Sequence, residues 1–320
     1  MSPHNHKAPP LERNHESPLW VVTGPTASGK TALAIELAEQ TGREILSMDS
    51  MAVYRRMNIG TAKPTAEDLA RVPHHLVDVV EPNETFDTAR WCSSAESLLT
   101  DLHAAGKKAL FVGGTPLYLM AFFKGMMDGP NAQPELRAAL EAREAAEPGC
   151  LHEELLRRDP EAAARIHRND LRRLVRALEV LETTGQTISS MQDQFERQGW
   201  LRDCRVVMVT RGREELHERV KQRTEMMLDQ GLVQETETIE TACGFSRTSG
   251  AAIGYAECRD FLRGRYKDRT ELRNRIRRNT HKLIRRQTSW LRRLREIVLV
   301  KPDSGAEGLL RALETQSASD

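Results

Sequence analysis

No stretch of about 18 consecutive apolar residues occurs in this 320-residue chain, so nothing in it reads as a membrane-spanning helix. Cysteine is scarce and scattered. Cys92, Cys150, Cys204, Cys243 and Cys258 are odd in number, and no pair has the short spacing of a zinc knuckle or a dithiol redox motif. Reduced thiols in a reducing cytosol, and hence a cytoplasmic protein, are expected. Residues 1–17 are rich in Pro, His and Asn and lack an apolar core. They read as a disordered tail rather than a signal peptide, with His4 and His6 belonging to that tail rather than to a metal site. Neither sign of charge is in excess: the formal net charge of +1 says nothing about partners, so distribution has to carry that argument. Internal repeats are absent. A composition of 39% hydrophobic and 29% charged residues is that of an ordinary globular protein, and the length allows one large domain or two modest ones.

What is present begins with alternation. Apolar runs at residues 19–23, 43–48 and 109–112 read as strands, with a short one possible at 75–80. Helical spacing of apolar residues over 31–40 and 93–105 separates them. Strand–helix alternation of this kind predicts an α/β fold with a parallel sheet. Beyond Lys124 helix formers dominate without a strand-like run, through segments 134–147, 151–158, 161–167 and 171–183. A strand at 204–210, a helix at 214–229, a long basic helix at 270–295 and a strand at 297–300 follow. The expected organisation is a tail at 1–17, a P-loop core at 18–124 and 200–302, an inserted all-helical domain at 125–199, and a polar tail at 303–320.

The residues Gly24, Pro25, Thr26, Ala27, Ser28, Gly29, Lys30 and Thr31 match the pattern G-x-x-x-x-G-K-[ST] without exception. The glycines let the backbone curl so that successive N–H groups point at phosphate oxygens, and the following helix adds its positive N-terminal end. Lys30 supplies a mobile cation, and the Thr31 hydroxyl is placed to ligate Mg²⁺. By chance such a pattern arises in roughly one chain in a hundred of this length. Here it also follows a strand and opens a helix, as its mechanism requires. An ATPase pairs this loop with a carboxylate at the end of an apolar strand. The strand at 109–112 ends instead in Gly113-Gly114-Thr115, and the candidate acid is Asp49, after the second strand. That favours a small-substrate kinase or a group transferase over a motor ATPase. Asp49 reads equally well as a general base or as a turn aspartate.

Between residues 269 and 295 the chain carries eleven Arg or Lys residues against Glu271 as the sole acid. Leu272, Ile276, Leu283, Trp290 and Leu294 recur at helical spacing, so one stripe packs on the core and the other faces are cationic. Helix faces usually mix signs, and a one-sided set points to a polyanion.

A set of ordered segments narrows the reading. They are Asp49-Ser-Met-Ala-Val-Tyr-Arg-Arg-Met-Asn-Ile-Gly-Thr-Ala-Lys-Pro64, Pro73-His-His-Leu-Val-Asp78, Val112-Gly-Gly-Thr115 with Leu117-Tyr118, and Ala163-Ala-Arg-Ile-His167. Arg172-Arg-Leu-Val-Arg-Ala-Leu-Glu179, Ile253-Gly-Tyr255 and Arg286-Gln-Thr-Ser-Trp-Leu-Arg292 complete it. With the phosphate loop, this order resembles the tRNA dimethylallyltransferases (adenosine-37 tRNA isopentenyltransferases, the IPP transferase family) from about residue 19 to 300. The resemblance implies transfer of the dimethylallyl group from dimethylallyl diphosphate to N6 of adenosine 37 in the tRNA anticodon loop, releasing diphosphate. The loop then holds a leaving group rather than a γ-phosphate under attack, which fits the missing acid.

The resemblance also implies site residues. Asp49 is the general base, Thr115 lies at the same site, and Lys30 and Arg223 reach the diphosphate, with Mg²⁺ on Thr31. Contacts to tRNA are implied for Asp49, Ser50, Met51, Ala52, Thr115, Arg137, Arg172, Arg173, Arg176, Ala251, Ile253, Gly254, Tyr255, Arg285, Arg286, Gln287, Trp290 and Arg292. Ala52 stands where the family commonly has Gln, and Ala251-Ala252 where a polar residue is common. A monomer is expected. The competing readings are a P-loop kinase of a small hydroxylated metabolite, which has no use for the basic helix, and a nucleotide-switched RNA-binding protein, which leaves Asp49 and Thr115 without a task.

Overall fold

The computed structural model describes residues 18–125, 130, 132–197, 200–294 and 297–316. The expected tail at 1–17, Arg295 and residues 317–320 lie outside the described residues. In chain order the first elements are β1 (Leu19–Thr23), α1 (Lys30–Thr41), β2 (Arg43–Ser47), α2 (Ala66–Arg71), β3 (His74–His75), α3 (Thr88–Ala104), β4 (Lys108–Gly113) and α4 (Pro116–Phe123). Five helices follow: α5 (Pro134–Ala146), α6 (Cys150–Arg158), α7 (Pro160–Arg165), α8 (Leu171–Thr184) and α9 (Ile188–Arg197). The chain returns through β5 (Cys204–Val209), α10 (Arg213–Asp229), α11 (Leu232–Ala242), α12 (Tyr255–Leu262), α13 (Arg269–Leu291), β6 (Ile297–Val300) and α14 (Gly305–Thr315).

It divides into two compact units, residues 1–119 with 202–320, and residues 120–201. The first unit holds a six-stranded sheet in the order β3-β2-β4-β1-β5-β6, with every pairing parallel. Sequence explains why β1 and β4 sit inside it. LWVVT and KALFVG are near-continuous apolar runs, and their side chains are buried on both faces except at Lys108. Since β1 pairs with β4 on one side and β5 on the other, the loop leaving β1 opens at the crevice where strand order reverses.

One core cluster joins Trp20 and Val22 of β1, Leu33, Ile35 and Leu37 of α1, Val207 of β5, and Leu309 and Leu313 of α14. This corrects the expected polar tail at 303–320. Ala306, Leu309 and Leu313 recur at spacings of three and four and are buried, so an amphipathic helix forms here, with Leu310 and Ala312 also packed against the core. Helix α4 was also unexpected. Its sequence PLYLMAFF is apolar almost throughout, so no amphipathic period marks it, and only Leu117 among its large side chains is strongly exposed, at 55%. The short strand expected at 75–80 reduces to His74–His75, and Val80 makes an isolated parallel bridge to Tyr54.

The second unit packs Leu140 of α5, Leu151 and Leu155 of α6, Ala162 of α7, Leu174 and Leu178 of α8, and Met191 of α9 around its own core. Its bounds lie a few residues outside the expected 125–199. Its two ends meet, because Leu201 N–H donates to the Phe123 carbonyl at 2.8 Å.

Burial of α14 sets a stability test. Leu309→Ala removes a fully buried side chain and is expected to destabilise the protein by about 2–5 kcal/mol in urea unfolding. Leu299→Ala, at a side chain 58% exposed on β6, should stay within about 0.5 kcal/mol.

Candidate active site

Three strand ends converge in the first unit. Thr23 at the end of β1 donates its hydroxyl to the Gly113 carbonyl at 2.8 Å. Beyond β2, Met48 N–H reaches the Val112 carbonyl at 2.8 Å, and Met48 in turn accepts from Thr115 N–H at 3.2 Å. The backbones are so close that a Cβ on Gly113 would lie 2.2 Å from the Met48 carbonyl oxygen, which is why glycine follows this strand. Asp49 and Thr115 are thereby brought together, as the sequence implied. Thr115 Oγ1 accepts from Ser50 N–H at 3.1 Å, so it holds the turn that carries Asp49 rather than the carboxylate itself.

Asp49 is held as a turn aspartate with one carboxylate oxygen left over. Its Oδ1 accepts from Met51 N–H at 2.8 Å and Ala52 N–H at 3.3 Å, as a turn aspartate does. Its Oδ2 has no hydrogen bond among the described residues and remains free to accept a proton.

The phosphate loop runs from Gly24 at φ 151° to Gly29 at φ 90°, where α1 begins. A Cβ on Gly24 would come within 2.7 Å of the Val209 carbonyl of β5. Ala27 takes φ 68°, a left-handed conformation that costs on the order of 1 kcal/mol for a residue with a Cβ. Side chains from distant parts of the chain hold it there. Arg219 Nε donates to the Ala27 carbonyl at 2.8 Å, Arg211 Nε to the Ser28 carbonyl at 2.7 Å, and Thr26 N–H to Gln287 Oε1 at 2.9 Å. The Ser28 hydroxyl is buried without a partner among the described residues, which suits a loop meant to receive an anion.

Lys30, Asp49 and Arg223 lie within electrostatic reach of one another. Desolvation lowers the Lys30 ammonium to about 8, with Asp49 opposing the shift and Arg223 adding to it. Arg223 is likewise lowered, first by burial, with Asp49 opposing. Two desolvated cations beside one carboxylate leave an excess of positive charge there, which is chemically suited to an anion. Near Arg223 the loop at 58–63 is fixed from several directions. Glu235 accepts from Asn58 N–H at 3.1 Å and Ile59 N–H at 3.0 Å, and Lys63 donates to Asp78 at 2.6 Å and Asn58 at 3.1 Å. For Mg²⁺ the residues offer the Thr31 hydroxyl at the start of α1, and among the described residues no group of three His, Cys, Asp or Glu could cage a metal. That donor set fits an ion carried mainly by the phosphate oxygens, which is how Mg²⁺ usually binds.

The basic helix α13 is divided along its length. In its first half Arg269 pairs with Asp229, Arg273 and Arg277 with Glu225, and Arg275 with Glu271. The uniform cationic face expected from sequence is therefore partly neutralised by Glu225 and Asp229 of α10 and by Glu271 of α13 itself. From Arg278 onward, Arg278, Lys282, Arg285 and Arg286 on the helix and Arg292 and Arg293 just past its end are exposed, and no ion pair involves them among the described residues. Trp290, at 45% exposure, lies with this free group rather than in the apolar stripe, whose buried members are Leu272, Ile276, Ile284, Gln287 and Leu291.

Two residues implied as tRNA contacts are committed elsewhere. Gln287 is buried, with Oε1 on Thr26 and Nε2 donating to the Gly114 carbonyl at 2.7 Å. Tyr255 is fully buried, its hydroxyl donating to Glu235 at 2.5 Å and accepting from Gly60 N–H at 3.1 Å. Gly254 and Ala52 are also buried, Ile253 is half-buried and Ala251 exposed. Motif membership marks such residues but does not tell which way they face.

Within the second unit, Arg172 and Arg173 are exposed on α8. Arg137 and Arg176 instead grip Glu179, whose side chain is fully buried: Arg137 donates at 2.7 and 2.8 Å, Arg176 at 2.6 Å, and Gln133 N–H at 2.7 Å. Burial alone would push this carboxyl up, but those bonds overrule it and hold it at about 2. Sequence reasoning missed Arg211 and Arg219, which lie 183 and 192 residues from the loop atoms they hold and belong to no local pattern.

Fold and site define a P-loop α/β enzyme in which the loop lysine, Lys30, lies within electrostatic reach of the Asp49 carboxylate beyond β2. The family model described as IPP transferase matches residues 52–294, and that described as isopentenyl transferase matches residues 17–78. The chain belongs to the IPP transferase family. It is 43% identical over 282 residues to a tRNA dimethylallyltransferase of Thermotoga petrophila, covering 87% of this chain and 90% of that one. The tRNA dimethylallyltransferase of Anaeromyxobacter dehalogenans is 42% identical over 298 residues, covering 92% and 99%. The crystal structure of the full-length tRNA isopentenylpyrophosphate transferase from Bacillus halodurans is similar with a TM-score of 0.67 at 33% identity, covering 93% of this chain and 97% of that one.

Two expectations follow from the charges. With Lys30 at about 8 in the free protein, its affinity for a diphosphate should fall as pH rises through 8, where the ammonium is lost. Calorimetric titration from pH 7 to 9.5 should show this fall in the wild type and a flatter profile in Lys30→Met. For Glu179, a folded pKa of about 2 against the ordinary 4.5 contributes stability that is present above 4.5 and is lost as pH falls toward 2. Glu179→Gln should lower stability at pH 7 by about 3 kcal/mol and flatten the acid limb of a stability–pH curve.

Proposed function

We propose that this protein transfers the dimethylallyl group of dimethylallyl diphosphate to N6 of adenosine 37 in the tRNA anticodon loop. It acts as a cytoplasmic monomer. Among the described residues, no helix is long and apolar enough to cross a membrane. The observation that carries the reading is the meeting of a strained, pinned phosphate loop with Lys30, Arg223 and the free Oδ2 of Asp49, in a chain of this family.

In the reaction the C–O bond to the allylic carbon breaks and an N6–C bond forms. The diphosphate leaves with the bonding electron pair, and the displaced N6 proton passes to Asp49 Oδ2. An adenine amine is a weak nucleophile because its lone pair is delocalised into the ring, so a positioned carboxylate is worth about 10²–10⁴-fold. Lys30 and Arg223, already desolvated, gain most when the diphosphate gathers charge in the transition state, and the loop N–H groups act in the same direction. Bound through the Thr31 hydroxyl and the phosphate oxygens, Mg²⁺ would supply further charge neutralisation there. Thr115 keeps the Asp49 turn in place through Ser50. Adenosine 37 has to leave its stack to reach this site. The exposed arginines and Trp290 in the second half of α13 are chemically suited to phosphate contacts and base stacking. A small metabolite would leave that face without a task.

The test uses labelled dimethylallyl diphosphate, Mg²⁺ and unmodified tRNA carrying A36-A37-A38. Label should enter the RNA, stop when A37 is replaced, and drop at least about 10²-fold in Asp49→Ala. Undiminished incorporation by that variant would remove Asp49 from the mechanism. No incorporation, with phosphate passed from ATP to a small alcohol instead, would replace the whole reading with a kinase.

A further inference from the structure

Gln287 is an anomaly on α13. Its neighbours along the buried stripe, Ile284 and Leu291, are apolar, and packing alone would be served by another apolar side chain at this position. A buried amide there needs partners, and it has one at each end: the Thr26 N–H at 2.9 Å and the Gly114 carbonyl at 2.7 Å. The first belongs to the phosphate loop, one peptide before the strained Ala27. The second lies just beyond β4, where a Cβ on Gly114 would sit 2.9 Å from Gln287 Nε2 and 3.5 Å from Lys30 Nζ. One side chain therefore ties the loop to the strand end that leads to Thr115, close to the loop cation. It does so from a helix whose adjacent residues, Arg285 and Arg286, are exposed and free of ion pairs among the described residues.

We infer that Gln287 is a positioning residue which sets the phosphate loop from the RNA-facing helix, so that RNA on α13 and diphosphate in the loop strengthen each other's binding. The inference rests on the proposed function for the identity of the polyanion, but not for the contact itself. Without the amide, the Thr26 N–H has no outward partner, and its peptide can turn away from the orientation that leaves the neighbouring N–H groups facing an anion. An RNA that steadies α13 steadies the acceptor of that bond. By linkage, diphosphate in the loop favours the helix position that RNA prefers.

The experiment titrates inorganic pyrophosphate with Mg²⁺ into the full chain by calorimetry, with and without saturating tRNA, and titrates tRNA separately. In the wild type, tRNA should tighten pyrophosphate. Gln287→Met keeps the volume and loses both bonds. It should bind pyrophosphate about ten-fold more weakly without RNA, keep its affinity for tRNA within about two-fold, and lose the tightening. Gln287→Asn retains an amide too short to span both partners, and should fall between the two. It also serves if the Met variant does not fold, which a thermal melt reports. The inference is overturned if folded variants bind pyrophosphate as the wild type does, if tRNA leaves wild-type pyrophosphate affinity unchanged, or if Gln287→Met weakens RNA and pyrophosphate equally. Wild-type protein that transfers label to tRNA but shows no coupling would sink this inference and leave the proposed function standing. Protein that couples the two ligands without transferring label would do the reverse.

Discussion

Peptide N–H groups point at one spot only when the carbonyls and amides on the other side of the same loop are satisfied elsewhere. Here three long side chains meet that requirement. Arg219 and Arg211 take the Ala27 and Ser28 carbonyls, and Gln287 takes the Thr26 N–H. Much of the first unit can be understood as the apparatus that delivers those three groups. The reversal of strand order around β1 opens the crevice, β5 leads into the segment carrying Arg211 and Arg219, and α13, packed on α10, brings Gln287 across. A left-handed Ala27 is tolerable because its surroundings over-determine it.

Charge is arranged with similar economy. Lys30 and Arg223 are desolvated by burial in advance, so an anion bound beside them need not strip their water, and Asp49 stays close enough to offset part of the burial cost. Outside the cavity the opposite holds. The acids Glu225, Asp229 and Glu271 quench the first half of α13 and leave the second half open, which confines the available positive surface to the end of the helix where Gln287 sits. A helix cationic along its whole length would offer RNA many registers; a half-quenched one offers few.

The sequence made legible whatever was local. Glycine spacing, the strand before the loop and the helix after it marked the phosphate site, and β-strand runs marked the parallel sheet, because each depends on residues that are close along the chain. Facing was harder. Gln287 and Tyr255 belong to motifs that suggested RNA contact, yet both are buried and bonded to backbone, since a motif records that a residue matters without recording its direction. Helix α14 hid because its short apolar period at 306–313 lies between the polar residues of 301–304 and 314–320, and α4 because an all-round apolar helix has no period to detect. Arg211 and Arg219 were beyond reach, each being held to the loop only by three-dimensional closure.

The bond between Leu201 N–H and the Phe123 carbonyl closes the helical insertion on itself. A module whose entrance and exit share one stem is topologically a side loop: the sheet's strand order does not depend on how much chain lies beyond that stem, and the module's own core contributes no strand to it. Natural variation in the length of this region can therefore accumulate without renegotiating the barrier that sheet assembly must cross.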